Sequence, residues 1–385
     1  MATSGKKKEP TRPLHPPYDD NEGNLRAFAP LSPKANGARG RLPIPPAKVM
    51  PVIVIAGIMG SNLRANVNPT ASQNKEIKPG EAAWRPPNGA MDGLDEAAKW
   101  RARSPAVRQR ILDGDTLEVD PNGIIPQGIN YTDFIWDEAV AKQRGWGEIH
   151  ASSYGLLLVT LQQNLNTTYR SLWSSPMLAD NWLNVNRADR SKWGMFKEHE
   201  FGAELTDSEM RKFSEFHYPV YAFGYNWLQS NEVSAESLRM RIEEIISYWK
   251  NKKRQCGGVI LVTHSMGGLV ARACAKKIPS SIAGVIHSVM PALGAPACLR
   301  RLACGTENSN PSNGFVANIE TKKFAEIAGE TLAETTPVLA IASGPLELLP
   351  NHMYAGPWSF VQIGPDGKKD NIISLPKGNP YEFYS

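Results

Sequence analysis

The 385 residues carry 41% hydrophobic and 21% charged side chains with a net charge of +5, the balance of one large globular domain or two. The longest apolar stretch, around Val49 to Met59, is interrupted by Pro51 and too short to cross a bilayer, so membrane contact is expected to be peripheral. The small positive charge mildly favours anionic lipid surfaces, and no nucleic-acid motif accompanies it.

Residues 1–48 begin with Lys6, Lys7 and Lys8, are rich in proline and glycine, and lack the apolar core of a signal peptide. They predict a disordered or docking tail, and a chain made in the cytoplasm without a cleavable leader. Val49 to Gly57 then reads as a strand that breaks into Gly57-Ile58-Met59-Gly60-Ser61-Asn62. Neither a phosphate-loop Lys-Ser/Thr pair nor a dinucleotide fingerprint follows. The loop therefore reads as one where glycines let the backbone approach a substrate and offer the Ile58 N–H to a developing negative charge.

Residues 64–150 look like an insertion, with charged runs, Pro/Gly turns and the exposed-looking Trp84, Trp100 and Trp136. Two readings stay open: a mobile lid over the site, or a decoration whose tryptophans fill a secondary core. A helix is expected from about Ser152 to Gln163, with Leu156, Leu157, Val159, Thr160 and Leu161 along it.

Strand Tyr218 to Phe223 comes next. A helix capped by Ser234 and running to Lys250 places Leu238, Ile242, Ile245, Ile246 and Trp249 on one face. Residues 258 to 263 form an apolar run, expected to be a strand buried on both faces. A helix from 266 to 278 and a strand from Ile282 to Met290 follow. This β-α-β-α-β alternation predicts an α/β fold, a mostly parallel sheet with helices on both faces.

Within it, Thr263-His264-Ser265-Met266-Gly267 places a serine on the turn from strand to helix. A hydroxyl is a weak nucleophile, and such a turn exposes it beside backbone donors, of which Met266 N–H is one. Thr263 stands where glycine is usual and is expected to crowd the turn slightly. His264 reads as a motif residue rather than the base, because adjacent residues on a tight turn point apart.

The Ala56 to Ser61 loop, Tyr221-Ala-Phe-Gly-Tyr-Asn-Trp227, Thr263 to Gly267 and Met290-Pro-Ala-Leu-Gly-Ala-Pro296 resemble the lecithin:cholesterol acyltransferase-like lipases. The glycosylphosphatidylinositol inositol-deacylases share the same serine motif. Ser343 to Pro350 and Leu375 to Tyr381 are similar to bacterial phospholipase effectors of type VI secretion. The resemblance implies an α/β-hydrolase fold with lid and cap insertions, the domain running from 49 to 385 and a cap starting at about 345. It implies hydrolysis of phospholipid or another acyl-ester lipid. It also implies export to a target-cell periplasm or membrane, with secretion-machinery and immunity-protein partners.

In this fold the acid and histidine follow the serine. His287 has no acid between it and Ser265, and reads as a packed strand histidine. His352 follows Glu334 and Glu347 and is the candidate base within the chain. Otherwise histidine and acid are expected beyond residue 385, the fold being C-terminally incomplete. Asp366 and Asp370 read as a polar turn after a last strand at Phe360 to Ile363. Cys256 and Cys274 read as small hydrophobes, whereas Cys298 and Cys304 enclose a short loop with spacing that permits a bridge. No cofactor or zinc spacing is evident, and a calcium site stays open. Three other readings compete with a phospholipase A-type esterase: a glycolipid deacylase or acyltransferase, a catalytically incomplete lipid-binding module, and a peptidase.

Overall fold

Seven strands position the site: β1 (Val52–Ile55), β2 (Leu63–Ala65), β3 (Ala82–Trp84), β4 (Leu117–Val119), β5 (Val220–Phe223), β6 (Val259–His264) and β7 (Ile282–Ser288). The helices around them are α1 (Asp92–Arg101), α2 (Pro105–Ile111), α3 (Ala151–Leu165) and α4 (Asn231–Asn251). They continue with α5 (Gly267–Lys277), α6 (Pro296–Cys304), α7 (Phe315–Ala328) and α8 (Leu332–Leu339). This computed structural model describes residues 18–19, 25–26, 45–88, 92–126, 138–170, 177–188, 205–307, 315–354, 361–363 and 368–370.

β5, β1, β6 and β7 pair in that order as one parallel sheet. Alternation along β1 explains how both faces are covered. Ile53 and Ile55 share a core with Leu238, Ile242 and Ile245 of α4 and Val270 and Cys274 of α5. Val52 and Val54 pack with Tyr154 and Leu158 of α3. The fold is therefore α/β, parallel, with helices on both faces, as the alternation predicts.

The structure corrects several boundaries. The side chain capping α4 is Ser230, which accepts from Val233 N–H; Ser234 lies one turn inside the helix, small enough to be buried there. β7 is the outer strand of the described sheet, so His287 and Ile286 are exposed rather than packed. In α3 the buried positions are Tyr154, Gly155, Leu158 and Gln162, while Leu156 and Leu157 are exposed.

The insertion holds a fixed core. β3, β2 and β4 form an antiparallel sheet, and Trp84 and Trp100 are both 0% exposed, their rings edge to face at 6.4 Å. Flanking charges made them look exposed; the tryptophans instead turn inward, Trp84 also meeting Trp227 at 5.3 Å. Arg108, 1% exposed, ties this layer to α7 by donating to the carbonyls of Trp100, Glu326 and Ile327. Trp136 lies outside the described residues.

Of residues 1–48, Tyr18–Asp19 pairs with Leu25–Arg26 and Lys48–Val49 with Phe216–His217. Residues 45–47 are also described; the rest of the expected tail, and most of the cap expected at about 345–385, lie outside the described residues. So does the Gly364–Gly367 turn with Asp366. Another strand does follow Ile363: Lys368–Asp370 pairs back on Val361–Ile363 and contains Asp370. Cys298 and Cys304 are both free. Six residues along α6 separate them by about 9 Å of helix axis, beyond disulfide reach. Among the described residues no helix is long and apolar enough to cross a membrane.

Candidate active site

β6 delivers Ser265 to the turn before α5 with φ at 50°, a conformation that non-glycine residues rarely adopt. Two bonds hold it there: Ser265 N–H donates to Ser288 O at 2.9 Å, and Gly268 N–H donates to Ser265 O at 2.9 Å. Gly267 makes the turn possible, because a Cβ at that position would lie 2.4 Å from Ala56 O. Thr263 is buried, and its hydroxyl shares a 2.9 Å hydrogen bond with His287 Nδ1, joining β6 to β7.

The glycine loop after β1 sits directly against this corner. A Cβ on Gly57 would come within 2.9 Å of His264 Nδ1 and 3.0 Å of Ser265 Cβ. Gly57 N–H donates to the Tyr154 hydroxyl at 2.9 Å, and further contacts hold the loop's backbone. Tyr225 hydroxyl donates to Ala56 O at 3.0 Å and Trp84 Nε1–H to Met59 O at 2.9 Å. Gly60 N–H donates to Gly57 O at 3.0 Å, and His150 N–H to Gly60 O at 2.9 Å. The N–H groups of Ile58 and Met266, by contrast, have no hydrogen-bond partner among the described residues. A cavity of about 500 Å³ opens here, bounded by Ile58, Gly60, Tyr154, Leu157, His264 and Ser288. That is ample for one acyl chain or a small headgroup.

No hydrogen bond joins the His264 ring to Ser265 among the described residues. The ring's Nδ1 lies 2.9 Å from the Tyr154 hydroxyl, and partial burial holds its pKa below the ordinary histidine value. His150 lines the same cavity. Its Nε2–H donates to Pro87 O at 3.0 Å, and its Nδ1 faces Ser153 Oγ at 2.8 Å.

The structure does not bring His352 to the serine. His352 is exposed on the turn after Leu349 and makes no hydrogen bond to Ser265. The acids offered with it are used elsewhere. Glu334 closes a capping box on Thr331 and pairs with Arg108 at 3.4 Å. Glu347 accepts from Asn231 N–H at 2.9 Å and from Asn231 Nδ2 at 2.6 Å, at the start of α4. No described side chain hydrogen-bonds the Ser265 hydroxyl. Among the described residues there is also no cluster of three or more His, Cys, Asp or Glu able to hold a metal ion.

Residues 202–332, from ahead of β5 to the start of α8, match the family model described as PGAP1-like alpha/beta domain. The chain carries a PGAP1-like α/β-hydrolase domain. A chain in the crystal structure of the Tle4–Tli4 complex superposes on it with a TM-score of 0.67 and 29% identity, covering 87% of this chain and 62% of that one. The uncharacterized protein YJR098C of Saccharomyces cerevisiae is 40% identical over 72 residues, 19% of this chain and 10% of its own. The chain thus spans less than two thirds of either relative. The superposition agrees with the α/β fold of parallel strands and helices on both faces.

Tyr154, Tyr225 and Trp84, which grip the glycine loop, are the site residues that sequence reasoning missed. Tyr225 stands in a motif of the resemblance, but nothing in its spacing names Ala56 as its partner.

Proposed function

We propose that the chain hydrolyses acyl esters of lipids, phospholipids foremost, in phospholipase A-type cleavage with Ser265 as nucleophile. The observation that carries this is the strained Ser265, held by Gly57 and Gly267 at a corner where two backbone N–H groups have no partner among the described residues. Ser265 Oγ attacks the acyl carbonyl carbon as a base takes its proton. The carbonyl oxygen becomes an oxyanion, and Ile58 and Met266 N–H donate to it. Collapse expels the lysolipid alcohol, which takes up the proton, and water then attacks the acyl-serine ester to release the fatty acid. In this reading the base and its acid come from residues outside those described, as no described histidine reaches Ser265.

The likeness to a chain solved in the Tle4–Tli4 complex supports a secreted effector role. The protein would meet its lipid peripherally in a target cell, and an immunity partner would neutralise it. A second reading, deacylation of an inositol-bearing glycolipid, is supported by the PGAP1-like match.

Fatty-acid release from phosphatidylglycerol and phosphatidylethanolamine vesicles tests the leading reading. Ser265→Ala is expected to lower the rate by about 10⁴- to 10⁶-fold. Release only from an acylated inositol glycolipid favours the second reading, and equal release by Ser265→Ala contradicts both.

A further inference from the structure

Gly57, like Gly60, has no side chain to restrict its backbone. Its two peptide planes nevertheless decide where the Ile58 N–H points. In a trans peptide C=O and N–H point in opposite directions, so the bond from Gly60 N–H to Gly57 O aims Ile58 N–H the other way. The preceding plane is held by two side chains, Tyr225 at the Ala56 carbonyl, 3.0 Å away, and Tyr154 at the Gly57 amide. Gly57 N–H donates to the Tyr154 hydroxyl at 2.9 Å, across 97 residues of sequence.

That hydroxyl has a proton of its own to give, and His264 Nδ1 lies 2.9 Å away, 110 residues along the chain. The assignment that uses every donor runs from Gly57 N–H to the Tyr154 oxygen, and from the Tyr154 O–H to a neutral His264 ring. The rings also meet edge to face, with centroids 5.8 Å apart. Fit is tight around the oxygen: a Cβ on Gly60 would approach it to 2.8 Å. Tyr154 sits in the first turn of α3, whose preceding residue, His150, also donates to Gly60 O. One phenol thus joins α3, the donor loop and the residue before the nucleophile.

We propose that Tyr154 is a positioning residue of the active site, holding the Ile58 N–H and the Ser265 corner in register through Gly57 and His264. This rests on the reading of Ser265 as nucleophile. Tyr154 touches no reacting atom. Its effect is to preset a donor that otherwise has to be oriented during the reaction.

The test is Tyr154→Phe, which keeps the ring and removes the hydroxyl. Full-length protein is titrated with a fluorophosphonate, so that the rate is expressed per reactive serine. Removing an oxyanion donor outright costs about 10²- to 10³-fold, and a donor left in place but loosened is expected to cost about 10- to 100-fold. The labelling rate and kcat fall by that factor, while KM stays within about twofold because the ring that bounds the cavity is kept. A merely structural tyrosine would lower the melting temperature or the fraction of reactive sites and leave the rate per site unmoved, which would overturn the proposal.

A second readout does not need activity. In the variant the Gly57 amide loses hydrogen-exchange protection at least tenfold, and the His264 ring titrates higher, having lost a donor to its neutral form. Unchanged Gly57 exchange with unchanged His264 titration contradicts the clamp. If wild-type protein does not label at all, the Ser265 reading falls, and the exchange measurement still decides whether Tyr154 holds the loop.

Discussion

Alanine at Gly57 tests the contact between the donor loop and the serine corner. Its new methyl would lie 2.9 Å from His264 Nδ1 and 3.0 Å from Ser265 Cβ, whereas ordinary contact begins at 3.4 Å. The loop and the turn must therefore separate by about 0.5 Å or tilt apart. Both are buried or half-buried and tied on their far sides, by Trp84 and Tyr225 for the loop and by Ser288 for the turn. Overpacking of this kind costs about 1–3 kcal/mol of stability, a fall in melting temperature of about 2–10 °C. The cost to chemistry is larger, because the Ile58 N–H moves off the position of the oxyanion. A misplacement approaching 1 Å lowers the rate by about 10²-fold. The assay is the second-order rate of fluorophosphonate labelling at a temperature where the variant is fully folded. Gly257→Ala serves as the control, since nothing lies within 4 Å of a Cβ there, and it is expected to label as wild type. Labelling of Gly57→Ala within twofold of wild type would refute the placement of this loop in the active site.

Thr263→Gly restores the usual motif and is expected to lower stability by about 1 kcal/mol, because the bond to His287 is lost and a glycine enters a strand. Its labelling rate should stay within about threefold of wild type; thermal unfolding and labelling together check this. Burial, with Arg144 and Arg254 nearby, pushes the pKa of His217 down to about 3, while the unfolded chain takes up that proton near pH 6.5. Stability from this group is full above pH 6.5 and is lost progressively as pH falls toward 3, at up to about 1.4 kcal/mol per pH unit. His217→Gln, which keeps a donor for Asn166 Oδ1, should flatten the acid limb of melting temperature against pH by one proton's worth. An unchanged limb contradicts the assignment.

The central sheet and Ser265's place on it were legible because each strand is a continuous apolar run and the helices between them show clean periodicity. Val52 to Ile55 and the α4 face from Leu238 to Trp249 are found buried where the pattern put them. Legibility failed where the deciding contact is distant in sequence. Trp84 and Trp100 sit among charged neighbours, and only their packing against each other and Trp227 buries them. Ser230 and Ser234 are equally good capping residues, and only the extra buried turn through Ala235 selects the first. Tyr154 carries no motif at all; its meaning lies in two bonds to residues about a hundred positions away. His287 looked like a core residue because its strand is apolar, but that strand is the outer one of the described sheet.

The measurement that tests the central claim most directly is peptide mass spectrometry of the full-length chain after fluorophosphonate treatment. One adduct is predicted, on the peptide containing Ser265, and it is absent from Ser265→Ala. A folded chain that stays unmodified, or an adduct on Ser153 beside His150 instead, would contradict the assignment of Ser265 as the nucleophile.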